Sequence, residues 1–402
     1  MMAVAEARRR IVAAMAALPA ETVGLDRARG RVLAAPVIAR RTQPPADVSA
    51  MDGWAVRGAD VATVPATLRQ IGRSTAGESF AGTVGPGQAV RIFTGATVPA
   101  GADCIVIQED VDADGDAITV REGAPAGTYI RPRGLDFTAG TEGVGAGVEL
   151  GARNIGLIAA MDVPWIQVTR RPRVALLSSG DELVRPGEPV GPDQIIASNA
   201  LAVGALVEAA GGEAIDIGIA RDSVAAIRDI AAGARRADLL VTMGGASVGE
   251  HDLIAEALRP DGLELDFWRI AMRPGKPLMF GRLGEMPLIG LPGNPVSSLV
   301  CGLIFVRPAI RALLGAEAPA DLPRAEARLG RDLGPNDRRQ DYLRARLTGD
   351  GDHGRVATPF DKQDSSMLSR LARADCFVIR PPQAPAAPAG AVVPILDLAG
   401  LM

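Results

Sequence analysis

Apolar residues near the N-terminus recur at helical spacing. The recurrence at intervals of three and four predicts an amphipathic surface helix, with its apolar face at Val4, Ala7, Ile11, Met15 and Leu18. The arginines before this run would also suit a signal peptide. However, alanines interrupt the run and it stops at Pro19, which favours the helix. Residues 1–50 as a whole are rich in Ala and Arg and are expected to favour helix.

From residue 60 to about 150 the pattern changes to short apolar runs separated by glycine-rich turns. The runs lie at residues 89–93, 104–108 and 117–120. Sixteen glycines occupy the 80 residues from Gly72 to Gly151, which is about three times the usual share of roughly 7%. Many short strands joined by glycine turns predict a small barrel or sandwich.

Residues 172–315 alternate between buried strands and amphipathic helices. The helices are predicted to begin at the caps Asn199 and Asp222, and a long one closes the unit over 296–314. Alternating β and α elements predict a mainly parallel sheet with helices on both faces. The predicted strands cover residues 173–177, 215–219, 238–243, 264–270, 277–280 and 287–291. The last 80 or so residues return to short strands and turns, with a Pro-Ala loop at 381–388.

The composition narrows the class of protein. A length of 402 residues predicts about two to four domains, and 48% hydrophobic with 22% charged residues is ordinary for a soluble globular chain. The net charge of −4 excludes a broad basic field for nucleic acid or an anionic membrane. An anionic substrate would therefore need a local positive site. The apolar run at 296–306 is broken by two serines and is too short to cross a bilayer.

Cysteine and histidine usage argues against a sulfur–nitrogen metal cage. The three cysteines are far apart in the sequence, no CxxC spacing occurs, and there are two histidines: Cys104, Cys301, Cys376, His251 and His353. A disulfide framework is equally unsupported, so a reducing compartment such as the cytoplasm fits. Any metal ion is expected to have oxygen ligands.

Three polar, glycine-rich loops follow three of the predicted strands. They are SSGDE at 178–182, GGASVGEHD at 244–252 and PGNPVSS at 292–298. The carboxyl ends of parallel strands meet at one edge of a sheet, so these loops should converge there. Glycine turns that lead into helices expose N–H groups that bind phosphate or another oxyanion. The carboxylates of Glu182 and Asp252 would suit Mg²⁺, which prefers oxygen ligands and often bridges to phosphate.

A cationic turn, MRPGKP at 272–277, adds positive charge to this set. Two prolines and a glycine should hold the backbone stiffly, so Arg273 and Lys276 are expected to be aimed at a ligand. Arginine can grip an oxyanion with two donors, and lysine acts as a point charge. Phosphate, sulfate-like tetrahedral anions and molybdate all fit that description.

Each motif has a purely structural alternative. The glycine loops alone can be tight turns or helix caps, with Asn294 as the cap and Pro295 in the first turn. The SAMDGWAV segment at 49–56 can be a buried turn in which Asp52 bonds its own backbone. Residues 92–96 can be a strand end and 131–140 a charged β-turn. The cationic turn alone can likewise be a solvated turn. The three glycine-rich loops and this turn nevertheless all fall on one predicted sheet edge, and four such motifs there are hard to explain by chance.

Taken together, these segments resemble the molybdopterin molybdenumtransferase family, which includes the MoeA proteins and the gephyrin E domain. The resemblance spans nearly the whole chain in order and spacing. Two departures are visible: Trp54 stands where the family usually has Tyr, and Arg273 where it often has Lys. The matching segments are SAMDGWAV at 49–56, FTGATVPAGAD at 93–103, RGLDFTAG at 133–140, SSGDELVRPGE at 178–188, SNALAVGALVEAAGG at 198–212, GGASVGEHD at 244–252, RPGKP at 273–277 and LPGNPVSS at 291–298.

The resemblance implies a multidomain α/β plus β architecture in four parts. These are a helical and mixed segment from residues 1–50 and 141–171, an inserted β-rich domain at 51–140, an α/β molybdopterin-binding domain at 172–318 and a C-terminal β domain at 319–402. It also implies a homodimer whose active site joins the α/β domain of one subunit to the N-terminal segments of the other. Partners would be a molybdopterin adenylyltransferase and recipient molybdoenzymes or their chaperones.

The implied activity is a Mg²⁺-dependent transfer of molybdate to adenylyl-molybdopterin, with release of AMP and formation of the molybdenum cofactor. Two alternatives are a molybdopterin adenylyltransferase, which shares the α/β domain, and a non-catalytic scaffold. The resemblance assigns catalytic roles to Glu182, Asp222, Asp252, Asp52, Thr94 and Asp136, with Glu182 and Asp252 as metal ligands. It assigns substrate binding to Ser179, Gly180, Asp181, Gly244, Gly245, Ser247, Gly249, Arg273, Lys276, Pro292, Gly293, Asn294, Pro295 and Ser297.

Overall fold

The computed structural model describes residues 1–244, 253–318, 322–349 and 354–401. The N-terminal segment contains one α-helix and three short strands joined by loops. The expectation that residues 1–50 favour helix is therefore wrong beyond the first helix. The elements of this segment are α1 Val4–Ala13, β1 Ala20–Gly24, β2 Val37–Ile38 and β3 Val48–Ser49. The apolar face of α1 is buried at Val4, Ala7 and Ile11, and it packs into the large core of the α/β region.

Residues 53–120 form one six-stranded mixed sheet. The strand order is β7-β4-β6-β5-β9-β8, so β7 and β8 are its edges. The sheet is open, where the pattern predicted a closed barrel or a sandwich. Its strands are β4 Gly53–Val56, β5 Ala66–Ser74, β6 Gln88–Ile92, β7 Cys104–Ile107, β8 Val111–Asp114 and β9 Ala117–Val120.

The chain then returns to its N-terminal segment. The next elements are β10 Ile130–Arg131, β11 Glu142–Val144, α2 Ala152–Ala160 and β12 Trp165–Thr169. Strand β10 pairs with β3, β11 with β2 and β12 with β1, all antiparallel. Residues on both sides of the inserted sheet therefore share one apolar cluster, which includes Leu33, Ile158 and Val168.

The α/β region is built on a second six-stranded sheet. The strand order is β16-β13-β17-β21-β20-β18; the first four strands are parallel, and β20 and β18 are antiparallel to their neighbours. The elements are β13 Arg173–Ser179, β14 Leu183–Val184, β15 Ile195–Ile196, α3 Asn199–Ala209, β16 Glu213–Ala220, α4 Val224–Ala231, β17 Leu239–Met243, α5 Leu253–Leu258, β18 Leu263–Trp268, β19 Met272–Arg273, β20 Met279–Leu283 and β21 Met286–Leu291.

A continuous helical stretch closes this region. It consists of α6 Pro295–Cys301, a π-helical turn at Gly302–Val306 and α7 Arg307–Leu313. These 19 residues are long and apolar enough to cross a membrane, yet 83% of the apolar window is buried inside the protein. The stretch is therefore the central core helix, and it packs against one face of the sheet. The opposite face is covered by α4 and α5.

Two predicted helix caps are wrong. The cap position of α3 is Ser198, and the side chain of Asn199 instead donates to the carbonyl oxygen of Gly293 at 2.7 Å. The cap of α4 is Ser223, whose hydroxyl accepts from the N–H of Ala226, so Asp222 lies one residue before the cap. Both side chains are therefore available to the carboxyl edge of the sheet.

The C-terminal region forms a closed ring of five strands, to which β19 of the α/β region adds a sixth. Its elements are β22 Arg324–Leu329, β23 Gln340–Thr348, β24 Val356–Pro359, α8 Leu368–Leu371, β25 Cys376–Arg380 and β26 Val392–Asp397. The order β19-β23-β24-β22-β26-β25 is closed by a pairing of β23 with β25. Because β19 comes from the α/β region and pairs with β23, the two regions share a sheet. Short 3-10 turns complete the fold at Leu25–Arg27, Gly58–Val61, Gln108–Asp110, Ala232–Ala234 and Arg259–Asp261.

Candidate active site

Ser179, Gly244 and Gly293, which stand at or near the start of the three polar loops, lie together at the carboxyl edge of the parallel strands. Gly244 has φ +92°, and a Cβ atom there would lie 2.3 Å from the carbonyl oxygen of Ser179. A Cβ atom on Gly293 would lie 3.5 Å from the Cα of Gly244. Backbones in such close contact leave no room for a side chain at position 244. Four predicted site residues lie outside the described residues: Gly245, Ser247, Gly249 and Asp252.

The first loop is acidic. The hydroxyl of Ser179 lies 3.4 Å from the carboxylate of Asp222, and the Asp222 N–H donates to the carboxylate of Asp181 at 3.3 Å. The Glu182 carboxylate folds back over Gly180, where a Cβ atom would lie 2.5 to 2.8 Å from it. Among the acids of this loop, Asp181 is the one with a cationic neighbour in the described part of the chain, Arg221, at a long 3.9 Å. The loop is therefore suited to cations or to a proton.

The third loop is fixed by contacts on both sides. The Pro292 carbonyl accepts from Ser298, and the Gly293 carbonyl accepts from Asn199. Asn294 occupies the predicted cap position of α6, but its amide donates to Ser365 at 3.0 Å instead of capping the helix. The predicted start at Pro295 is confirmed, and the predicted site residue Ser297 is buried in the first turn of α6.

The loop at 360–367 of the C-terminal region was not singled out by any sequence pattern. The N–H of Val296 donates to the Ser365 carbonyl at 3.1 Å, beside the Asn294 contact. Arg344, which is 1% exposed, holds this loop through the Gln363 side chain and the carbonyls of Asp364 and Met367. The C-terminal region thus supports the third loop directly.

The two cations of the 272–277 turn have different environments. Arg273 donates from Nε to both carboxylate oxygens of Asp341, at 2.9 and 3.0 Å, and from Nη2 to Asn336 at 3.3 Å. Lys276 is half-buried and makes no hydrogen bond or ion pair through its ammonium group with any residue that the structure describes. Gly275, at φ +110°, packs so closely that a Cβ atom would lie 2.4 Å from the Cys301 sulfur. The turn is therefore held in place, and Lys276 is the cation left for a ligand.

The carboxylate that holds Arg273 is itself buried. The side chain of Asp341 is 3% exposed, against 47% for Arg273. Burial raises the pKa of Asp341, and the Arg273 guanidinium opposes that rise. The ion pair between Arg273 and Asp341 joins the α/β region to the C-terminal sheet.

A second group of predicted residues lies on the inserted sheet. Asp52 accepts hydrogen bonds from the N–H and the hydroxyl of Thr94, both at 2.8 Å. These bonds hold the pKa of Asp52 below its usual value, and Arg91 adds to the effect. The alternative in which Asp52 bonds its own backbone is therefore wrong.

Arg91 lies beside the Asp52–Thr94 pair on the inserted sheet. Its guanidinium lies 4.3 Å from the ring centre of Trp54 and 5.0 Å from that of Phe93. It also donates to the Gly53 carbonyl and to Gln108. The aromatic ring at position 54 thus acts as a platform for Arg91, which the sequence analysis did not recognise.

Asp136 lies near this second group. It is exposed, and its N–H donates to the Gln43 carbonyl at 3.0 Å. The loop that carries it follows β10, and β10 pairs with β3 just before Asp52. Asp52, Thr94 and Asp136 are therefore carried by adjoining segments.

The predicted residues thus form two separate groups within one chain. Among the described residues, no hydrogen bond or ion pair links residues 51–140 to residues 172–318. The apolar clusters of the inserted sheet also contain no residue of the α/β region.

Comparison with known proteins gives family matches in the N-terminal, α/β and C-terminal regions of the chain. The MoeA N-terminal region (domain I and II) matches residues 2–161, the probable molybdopterin binding domain matches 175–312, and the MoeA C-terminal region (domain IV) matches 326–398. A molybdopterin molybdenumtransferase of Nostoc sp. is 38% identical over 331 residues, covering 80% of this chain and 76% of the relative. Molybdopterin molybdenumtransferase 1 of Mycobacterium tuberculosis is 32% identical and covers 99% of both chains.

A solved structure shows the same arrangement. The molybdopterin biosynthesis MoeA protein from Pyrococcus horikosii has a TM-score of 0.85 and 30% identity, with 99% of each chain covered. Sequence and structure agree along the full length of the chain, as the resemblance in the sequence predicted. The chain belongs to the molybdopterin molybdenumtransferase (MoeA) family.

Proposed function

We propose that this protein is a molybdopterin molybdenumtransferase that loads molybdate onto adenylyl-molybdopterin and releases AMP. The observation that carries the proposal is the carboxyl edge of the parallel sheet. There, the acidic first loop and the third loop come together around Gly244. Such an edge is the usual ligand site of an open α/β sheet. Full-length similarity to named molybdenumtransferases gives the reaction.

Lys276 is the proposed molybdate-binding cation. Its ammonium group has no partner among the described residues, whereas the Arg273 guanidinium is bound to Asp341. A lysine point charge suits a tetrahedral oxyanion, and the N–H of Gly293 would add a donor. Arg273 keeps its predicted place in the substrate-binding set, but as the residue that fixes the turn.

A magnesium ion fits the acidic loop as an open site. Mg²⁺ is usually held by one or two carboxylates together with water and substrate phosphates. The described residues contain no cluster of three or more metal-binding side chains. We propose Glu182, which is exposed, and Asp252 as its ligands. When bound, the ion would neutralise charge on the phosphoanhydride of the substrate.

The other acids of the first loop would handle protons. Molybdate must lose oxygen as water when sulfur replaces it, so protons have to reach that oxygen. Asp222, which lies 3.4 Å from the Ser179 hydroxyl, is positioned for such a transfer. Asp181, which accepts from the Asp222 N–H, would orient it.

The complete site is proposed to form in a homodimer. Asp52, Thr94 and Asp136 belong to a part of the chain that makes no bond to the α/β region among the described residues. Beside Asp52 and Asp136, Met51 and Leu135 are 40% and 60% exposed, although both are large and apolar. Covering such side chains favours association. In a two-fold dimer, each contact is made twice, so two composite sites would result.

The cellular context follows from the proposed reaction. A molybdopterin adenylyltransferase would supply the adenylylated substrate, and molybdoenzymes or their chaperones would receive the product. All three cysteines are buried and free, which is compatible with the proposed cytoplasmic location.

The proposal is tested by supplying purified protein with adenylyl-molybdopterin, Mg²⁺ and molybdate. Molybdate-dependent AMP release together with active molybdenum cofactor is expected. A matched reaction contains ATP and molybdopterin instead, because pyrophosphate release there would indicate an adenylyltransferase. Absence of both activities in a folded, dimeric sample would favour a non-catalytic scaffold and contradict the proposal.

A further inference from the structure

A small cavity lies directly behind the acidic loop. Its volume is about 280 Å³; it is partly open to solvent and is lined by residues of β13, β16, the first turn of α3 and the segment 185–186. Ser178, which lines it, is the immediate neighbour of the predicted substrate-binding residue Ser179. The volume is near the lower end of the roughly 300–1,000 Å³ of ligand pockets. The cavity therefore suits one ring system better than a complete dinucleotide.

Two polar side chains of opposite charge line the cavity without neutralising each other. Within the described residues, the Arg185 guanidinium has no hydrogen bond or ion pair; its backbone N–H and carbonyl are both bonded to Glu188. One oxygen of Asp216 accepts from the Gly218 N–H at 3.0 Å, which leaves its other oxygen without a partner in that part of the chain. A donor group and an acceptor group are thus both available to a ligand.

The backbone between these groups is irregular. The pairing of β13 with β16 shifts register after Asp216, so that Leu177 pairs with Gly218 and the residue between is skipped. Gly218 has φ +117°, and even a Cβ atom there would lie 3.9 Å from Nη2 of Arg185. Bulges of this kind often re-aim side chains next to active sites. The bulge therefore brings the backbone next to Asp216 close to the Arg185 guanidinium.

The remaining walls are apolar. Pro186 and Ile219 line the cavity, and so does Leu201, which is 63% exposed although it is a large apolar side chain on α3. Flat apolar walls with a few convergent polar groups are typical of sites for small organic ligands. A free phosphate would gain nothing from these walls and would be repelled by Asp216.

We infer that this cavity binds a planar, amino-substituted nitrogen heterocycle of the substrate. Asp216 accepts from the amino group, Arg185 donates to the adjacent ring nitrogen or carbonyl, and Leu201 and Pro186 contact the ring. The inference rests on the proposed function, because adenylyl-molybdopterin carries two such rings, a pterin and an adenine. Both present a donor beside an acceptor at the ring edge.

The test measures binding of each ring separately, by isothermal titration calorimetry with 6-hydroxymethylpterin and with adenosine. Asp216→Asn keeps an acceptor for Gly218 but removes the charge, and it should weaken binding of the preferred ring by about tenfold. Glu213→Gln is the matched control, because Glu213 is an exposed acid on the same strand, paired with Arg173 and outside the cavity. That control should bind like the wild type, and melting curves should show that both variants are folded.

The outcomes separate this inference from the proposed function. Loss of pterin binding in Asp216→Asn assigns the cavity to the pterin, and loss of adenosine binding assigns it to the nucleotide. If neither ring binds the wild type at millimolar concentration, or if Asp216→Asn binds both as tightly as the control, the inference is overturned. AMP release by the wild type is measured in parallel, so the proposed function stands or fails on its own result.

Discussion

The Arg273–Asp341 contact should affect stability asymmetrically. Arg273→Ala leaves a carboxylate that is 3% exposed without the one side chain that hydrogen-bonds to it among the described residues, whereas Asp341→Asn leaves a guanidinium that is 47% exposed and can be hydrated. Breaking a buried pair costs about 3–5 kcal/mol and an exposed pair about 0–1 kcal/mol. Because one partner is half-exposed, we expect a loss of about 2–3 kcal/mol for Arg273→Ala and about 1 kcal/mol for Asp341→Asn.

The loss in Arg273→Ala should also depend on pH. Burial already raises the pKa of Asp341, and removal of the opposing guanidinium should raise it further. A carboxyl group whose pKa is higher in the folded state makes the folded protein bind more protons than the unfolded one, so stability falls as pH rises. The variant should therefore be closest to the wild type below the unfolded pKa of about 3.9, and increasingly destabilised as pH rises toward neutrality.

The free energy of unfolding is measured by urea denaturation with far-ultraviolet circular dichroism, and calorimetry shows whether the regions unfold separately. Arg228→Ala is the control, since Arg228 and Asp261 form an ion pair with both side chains about equally exposed, 43% and 40%. It should lose less than about 1 kcal/mol. Equal losses in Arg273→Ala and Asp341→Asn, or a pH-independent loss in the former, would refute the reasoning.

Four further predictions concern the proposed site. Lys276→Ala should raise the molybdate concentration needed for half-maximal AMP release with little change in substrate binding; a selective loss of substrate binding would assign the turn to phosphate instead. Glu182→Gln should reduce AMP release strongly while melting like the wild type, and wild-type rates at limiting Mg²⁺ would remove Glu182 from the metal site. Mixed with Asp52→Ala, Glu182→Gln should recover up to about a quarter of wild-type activity, because half of the dimers are mixed and each has one intact site; no recovery after verified subunit exchange would contradict the shared site. Arg344→Met should lower activity by displacing the Gln363 loop, and Arg344→Lys should restore part of it; full activity in a folded Arg344→Met protein would show that the loop does not support the site.

Local sequence patterns were sufficient to predict the strands of the α/β region and the sheet edge at which its polar loops begin. Strand and helix periodicity located the parallel strands, and strand direction alone brings the ends at Ser179, Gly244 and Gly293 together. This succeeds because period and chain direction are set by neighbouring residues. The family resemblance was confirmed for the same reason: its motifs are contiguous segments. Caps at Asn199 and Asp222 failed because tertiary partners, the Gly293 carbonyl and the Ser179 hydroxyl, engage those side chains.

The partners of the charged side chains depended on the tertiary structure. Nothing in the local sequence pairs Arg273 with Asp341, 68 residues away, or Asp52 with Thr94, 42 residues away. Arg273 lies on the strand that joins the C-terminal sheet, and it is bound there by Asp341. For that reason Lys276 is the cation of this turn whose side chain has no partner among the described residues. A local pattern sets the period and direction of an element, whereas the partner of a charged group depends on which distant segments the folded core brings within hydrogen-bonding distance.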